Sequence, residues 1–144
     1  MNYWDSSALV KLYLAEPGQT DLVSLSHAEP RIATSSLSLV EVCAAMAAAL
    51  RGGRLTARVH ADALRLFGDR WEEITAIRPA DALLAAAAER AVRFGLRALD
   101  AVHLASLEVL GRDTGSTVQF VGFDRALNRA ARKLGYGLPA FAPD

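Results

Sequence analysis

MNYWDSS, residues 1–7, sets a short apolar run against a carboxylate and two hydroxyls, and ALVKLYLAE, residues 8–16, then changes to helical spacing. MNYW reads as a short buried strand. In SALVKLYLAE, residues 7–16, Ala8, Leu9, Leu12 and Tyr13 share one face of a helix. A strand followed directly by a helix is the opening of a βαβ unit, and the acid between them lies at the carboxyl end of its strand. Asp5 therefore has two readings. It caps the helix that begins near Ser7 by accepting backbone N–H bonds, or it projects into the crevice outside the strand ends, where open parallel sheets bind ligands. Ser6 reads as a simple turn residue, and Ser7 either caps the helix or reaches that crevice.

The same alternation runs outward along the chain. A short helix within EPGQTDLVSLSHAEP (16–30) is bounded by Pro17 and Pro30, RIATSS (31–36) is a brief strand, and SLSLVEVCAAMAAALRGG (36–53) is a strong helix stopped by Gly52 and Gly53. LTARVHADALRLFGDRW (55–71) is amphipathic, EEITAIRP (72–79) alternates as a strand does, and ADALLAAAAERAVRFG (80–95) runs from Pro79 to Gly95. LRALDAVHLASLEVLG (96–111) is a further helix, STVQFVGFD (116–124) is the most strand-like segment, and RALNRAARKLG (125–135) is the last helix. Parallel strands need crossover connections, so the expected fold is a helix-rich α/β protein, a three-layer α/β/α sandwich on a short, mainly parallel sheet.

The 144 residues carry no Pro/Gly/Ser-rich linker, which favours one domain over residues 1–144. With 52% hydrophobic residues the chain has ample material for a core. No apolar run approaches the ~20 residues that span a bilayer, and no secretory signal pattern is visible, so a cytoplasmic protein is expected. Cys43 is the only cysteine, which excludes an internal disulfide and a thiolate zinc cage. Basic and acidic residues balance at 16 each, so no global field announces a nucleic-acid partner. Arg51, Arg54 and Arg58 lie in an Arg-rich stretch; they read either as rim contacts to a phosphate chain or as ordinary solvated arginines.

Four acids stand out. Asp5 and Asp124 each follow a strand, whereas Glu41 in LSLVEVCAAM and Asp100 in LRALDAVHLA sit among apolar neighbours, where an unpaired carboxylate is costly. Each has a local explanation: a cap for Asp5 and Asp124, a Ser38-x-x-Glu41 capping box, a first-turn acid favoured by the helix dipole for Asp100. Brought together at one sheet edge, four carboxylates repel unless a divalent metal binds among them. Hard oxygen ligands without a Cys/His set point to Mg²⁺ or Mn²⁺, and an ion of that kind supports phosphodiester hydrolysis.

MNYWDSSALVKLYLAE, IATSSLSLVEVCAA, LRALDAVHLASL and VQFVGFDRALNRAARKLG resemble, in order and spacing, the PIN-domain ribonucleases, most closely the VapC-type toxins of toxin–antitoxin pairs. The resemblance implies a PIN-like fold and a metal-dependent endoribonuclease. It implies metal at Asp5 and Asp100, an acidic centre completed by Glu41 and Asp124, and a ligand- or water-orienting hydroxyl at Ser7. Gly122 departs from the family pattern, where Thr or Ser often stands. His103, three residues after Asp100, is read as a packing or supporting residue. The resemblance further implies a cognate VapB-like antitoxin and a homodimer. Single-stranded or looped RNA suits such a protein better than a duplex, since no basic recognition helix is present. The competing expectation is a non-catalytic or regulatory α/β domain that binds Mg²⁺ or a partner through the acidic pocket. A phosphoreceiver of that type needs a strand-end Lys, and the only lysines are Lys11 and Lys133.

Overall fold

The structure is a computed structural model that describes residues 1–115 and 117–144. Four strands, β1 (Asn2–Trp4), β2 (Ile32–Ser35), β3 (Thr75–Ile77) and β4 (Gln119–Val121), form one sheet in the order β3-β2-β1-β4 with every pairing parallel. The helices are α1 (Ser6–Lys11), α2 (Gln19–Ala28), α3 (Ser38–Arg51), α4 (Ala57–Trp71), α5 (Asp81–Phe94), α6 (Ala98–Thr114) and α7 (Arg125–Lys133).

β1 lies inside the sheet, paired with β2 through Tyr3↔Ala33 and with β4 through Tyr3↔Phe120. Successive side chains of a strand point to opposite faces, and the two faces bury different sets. Tyr3, Ala33 and Phe120 pack with Leu83 and Ala87 of α5, Leu104 and Leu107 of α6, and Leu127 of α7. Trp4, Ile32 and Val121 pack with Leu9 of α1, Leu22 of α2, Met46 of α3 and Phe67 of α4. The α/β/α layering expected from the strand and helix order is thus present, with a wholly parallel sheet.

Boundaries differ where local geometry intervenes. α1 ends at Lys11 rather than Glu16, and Gly18, at φ +90°, turns the chain into α2. The strand expected over 116–124 is confined to Gln119–Val121; Ser116, its expected first residue, lies outside the described residues. Beyond α7, Gly137 pairs beside Gln119 and accepts the Phe120 N–H at 2.9 Å, so the C-terminal segment lines the outer side of β4. The Ser38-x-x-Glu41 capping box does not form. Leu37 is the N-cap of α3 without a side-chain bond, and the Ser38 hydroxyl is 2.7 Å from Thr34 Oγ1. The Thr34 proton goes to the Trp4 carbonyl at 2.6 Å, so Ser38 is the donor in that pair.

Candidate active site

Strand β1 ends at Trp4, and the Asp5 N–H continues the ladder by donating to Val121 O at 3.0 Å. This places Asp5 beside the end of β4. Its side chain is the N-cap of α1: Oδ1 accepts from the Ala8 amide at 2.9 Å and from the Ser7 hydroxyl at 2.7 Å. Ser7 Oγ in turn accepts the Phe123 N–H at 3.0 Å, tying the β1–α1 junction to the β4–α7 junction. Asp5 Oδ2 makes no hydrogen bond among the described residues. It faces Gly122, where an added Cβ would lie 3.0 Å from Oδ2 and 2.8 Å from the buried Phe120 ring. The absent hydroxyl at Gly122 therefore corresponds to space that any side chain would have to force open.

Glu41 is held from the opposite side. Oε2 accepts from Ser6 Oγ at 2.5 Å and from His103 Nε2 at 2.9 Å, while Oε1 has no partner among the described residues. His103 is 3% exposed, and its Nδ1 lies 2.9 Å from the hydroxyl of Tyr3, whose own ionisation is pushed far upward by complete burial. A tyrosine that stays protonated can donate to Nδ1, which puts the imidazole proton on Nε2, facing Glu41. Burial is the largest influence on both carboxyls, with opposite outcomes. It raises Asp5, and the neighbouring His103 and the bonds from Ser7 and Ala8 only moderate the rise. In Glu41, bonds from His103 and Ser6 outweigh burial and hold the carboxyl below its usual range.

Asp100 and Asp124 form a second pair. Asp124 is the N-cap of α7, Oδ1 accepting the Leu127 amide at 2.9 Å. Asp100 stands in the first turn of α6. Arg97 joins them: Nε is 2.7 Å from Asp100 Oδ2, and Nη2 is 3.4 Å from Asp100 Oδ1 and 3.3 Å from Asp124 Oδ2. Glu41, Arg97, Leu99 and Asp100 line a cleft of about 230 Å³. Among the described residues no three His, Cys, Asp or Glu side chains form a group positioned to hold a metal ion; the acids stand instead as Asp5 with Glu41 and as Asp100 with Asp124. Their chemistry suits a hard divalent cation, because the donors are carboxylate oxygens and a guanidinium already bridges two of them.

The family profile described as PIN domain matches residues 3–133. The chain belongs to the PIN-domain family. Within that family it is 36% identical over 133 residues to Ribonuclease VapC49 of Mycobacterium tuberculosis, covering 92% of this chain and 90% of the relative. It is 34% identical over 143 residues to Ribonuclease VapC46 of the same organism, covering 96% and 95%. The crystal structure of M. tuberculosis VapC20, titled a sarcin-ricin loop cleaving toxin, shares the fold with a TM-score of 0.65 at 20% identity, over 90% of this chain and 95% of that one. In this chain Asp5 lies at the β1–α1 junction, Glu41 on α3, Asp100 on α6 and Asp124 before α7.

Three participants escape a reading of the sequence by acid positions alone. Ser6 bonds Glu41 rather than merely turning the chain, Tyr3 combines core packing with a bond to His103, and Arg97 bridges two acids. Only Arg97 leaves a signal, a cation three residues before Asp100 on the same helical face.

Proposed function

We propose that residues 1–144 act as one PIN-like domain, a metal-dependent endoribonuclease that is the toxin of a VapBC-type pair. What supports this reading is the match of the chain to the PIN-domain family over residues 3–133, with Asp5 and Asp124 at the carboxyl ends of β1 and β4. Asp5 and Asp100 are assigned to Mg²⁺ or Mn²⁺, with Glu41 and Asp124 completing the acidic centre and Ser7 fixing Asp5. When bound, such an ion activates water and offsets charge on the scissile phosphate. The chain's own residues prepare the site. Ser7 and the Ala8 amide fix Asp5 Oδ1 and leave Oδ2 toward the space kept by Gly122. His103 and Ser6 hold Glu41 Oε2, which leaves Oε1 to accept a proton or hydrogen bond from the attacking water.

The substrate is single-stranded or looped RNA in the cytoplasm. A VapB-like antitoxin and a second copy of the chain are its protein partners, and Leu39 and Val40 of α3 with Val59 and Leu66 of α4 are exposed apolar side chains suited to being covered. No helix among the described residues is long and apolar enough to cross a membrane.

Incubation of the purified protein with single-stranded and hairpin RNAs tests the activity. Cleavage is expected with Mg²⁺ or Mn²⁺, and none with EDTA or in Asp5→Asn and Asp100→Asn. Mn²⁺ should also raise the melting temperature of the wild type, since a ligand of the folded state alone stabilises it, and should leave both variants unmoved. Cleavage that persists in EDTA or in both variants overturns the mechanism.

A further inference from the structure

Arg97 occupies a position that helix stability does not explain. It is the N-cap of α6, with φ −67° and ψ 160°, and it makes no capping bond. Ser, Thr, Asp or Asn satisfy free amides at an N-cap, and a cation there meets the positive end of the helix dipole. The side chain is 77% exposed, yet its guanidinium is drawn onto Asp100 and Asp124. The oxygens it takes are telling. Asp124 Oδ1 is committed to the Leu127 amide, and Arg97 holds Oδ2, the oxygen left for a ligand; it also holds both oxygens of Asp100. Among the described residues no other Lys or Arg bonds to Asp5, Glu41, Asp100 or Asp124.

We propose that Arg97 is an exchangeable counter-ion of the acidic centre: a divalent cation displaces it from Asp100 and Asp124, and the released guanidinium then binds a phosphate of the RNA. This role rests on the assignment of Asp100 and Asp124 to the metal centre. The guanidinium itself is 77% exposed, so it can leave the carboxylates for water or another anion without being unburied. A guanidinium fork that fits a carboxylate fits a phosphate equally well. Its attachment three residues before Asp100 keeps the freed group at the cleft it already lines with Glu41, Leu99 and Asp100.

Two measurements test the exchange on the full chain. Calorimetric titration of Mn²⁺ into metal-free protein, without RNA, should show Arg97→Gln binding the ion roughly two- to fivefold more tightly than wild type, because nothing has to be displaced. Asp100→Asn should bind it far more weakly. Anisotropy of a labelled single-stranded RNA, read across a series of KCl concentrations, follows the phosphate contact. In EDTA, wild type and Arg97→Gln should share one salt slope. With Ca²⁺, and the RNA shown intact on a gel, the slope of Arg97→Gln should be smaller by about 0.7, one phosphate contact on a single strand, with Arg97→Lys restoring part of it. Mn²⁺ affinity unchanged or weakened in Arg97→Gln, with Asp100→Asn impaired, overturns the role of Arg97 alone. So does a slope difference that is absent, or equal in EDTA and Ca²⁺, which would mark a general charge effect. Undiminished Mn²⁺ binding in Asp100→Asn overturns the metal-centre assignment, and this role with it.

Discussion

Asp5 and Glu41 are pushed in opposite directions, Asp5 toward protonation by burial and Glu41 toward ionisation by His103 and Ser6. For Asp5 the sign of the linkage is clear: a folded-state pKa raised above the unfolded value means that its contribution is favourable at low pH and is lost as pH rises from about 3.8 through the folded pKa. Above that window the 4%-exposed Asp5 carries a cost, either of burying its charge or of keeping a proton that the unfolded chain has lost. Asp5→Asn keeps an oxygen for Ser7 and Ala8 and removes that cost. It should raise metal-free stability at pH 7 by about 1 kcal/mol, a typical gain when an active-site charge is relieved, while abolishing cleavage. Urea midpoints of the two proteins should converge as the pH falls below 4, and a variant less stable at pH 7 would contradict the burial argument. The dual readings of Asp5 and Asp124 resolve at the same scale. Both are helix caps, and capping does not exclude the site role, because a cap consumes one carboxylate oxygen and leaves the second. A sequence pattern shows that a residue suits a cap, but it does not show which of its oxygens remains free.

Arg97, the N-cap of α6, is followed at three-residue intervals by Asp100 and His103 on the helix, whose residues Ala101–Leu107 are all buried, so its rotation against the sheet is fixed by packing on nearly every side. That fixed rotation places His103 between Tyr3 of β1 and Glu41 of α3. His103→Gln should lower kcat by 10- to 100-fold, the range typical of a residue that orients a site group from behind, with KM little changed. Tyr3→Phe should have a smaller effect in the same direction. A purely structural role would instead lower the melting temperature and leave the kcat of folded protein intact, so steady-state kinetics paired with thermal melts separates the two. At this scale the strand and helix order was legible from periodicity, since every expected element is present. The ends were not, because they depend on tertiary partners: Ser38 is drawn from a capping box by Thr34. The His103 bridge was beyond the pattern for the same reason, since its partners lie 100 and 62 residues away.

The molecule as a whole is organised by one strand. β1 pairs on both sides, and its alternation sends Tyr3 into the layer of α5, α6 and α7 and Trp4 into the layer of α1 to α4. Two apolar layers sharing a sheet of such short strands cannot lose one partner and keep the other in register, so they should unfold together. Both tryptophans, Trp4 and Trp71, lie in or against the α1 to α4 layer, so their fluorescence reports on that side alone. Leu104, fully buried in the opposite layer, provides the remote perturbation. Leu104→Ala should cost 2–5 kcal/mol, roughly the range for a leucine deleted from a packed core. Its urea midpoint followed by tryptophan fluorescence should fall as far as the midpoint followed by far-ultraviolet circular dichroism. A fluorescence midpoint that stays at the wild-type value while the dichroism splits into two transitions would show that the layers fold independently. Coincident midpoints would mean that the sheet edge carrying Asp5 and Asp124 is held by both layers at once, so that a substitution in either one reaches that edge through β1.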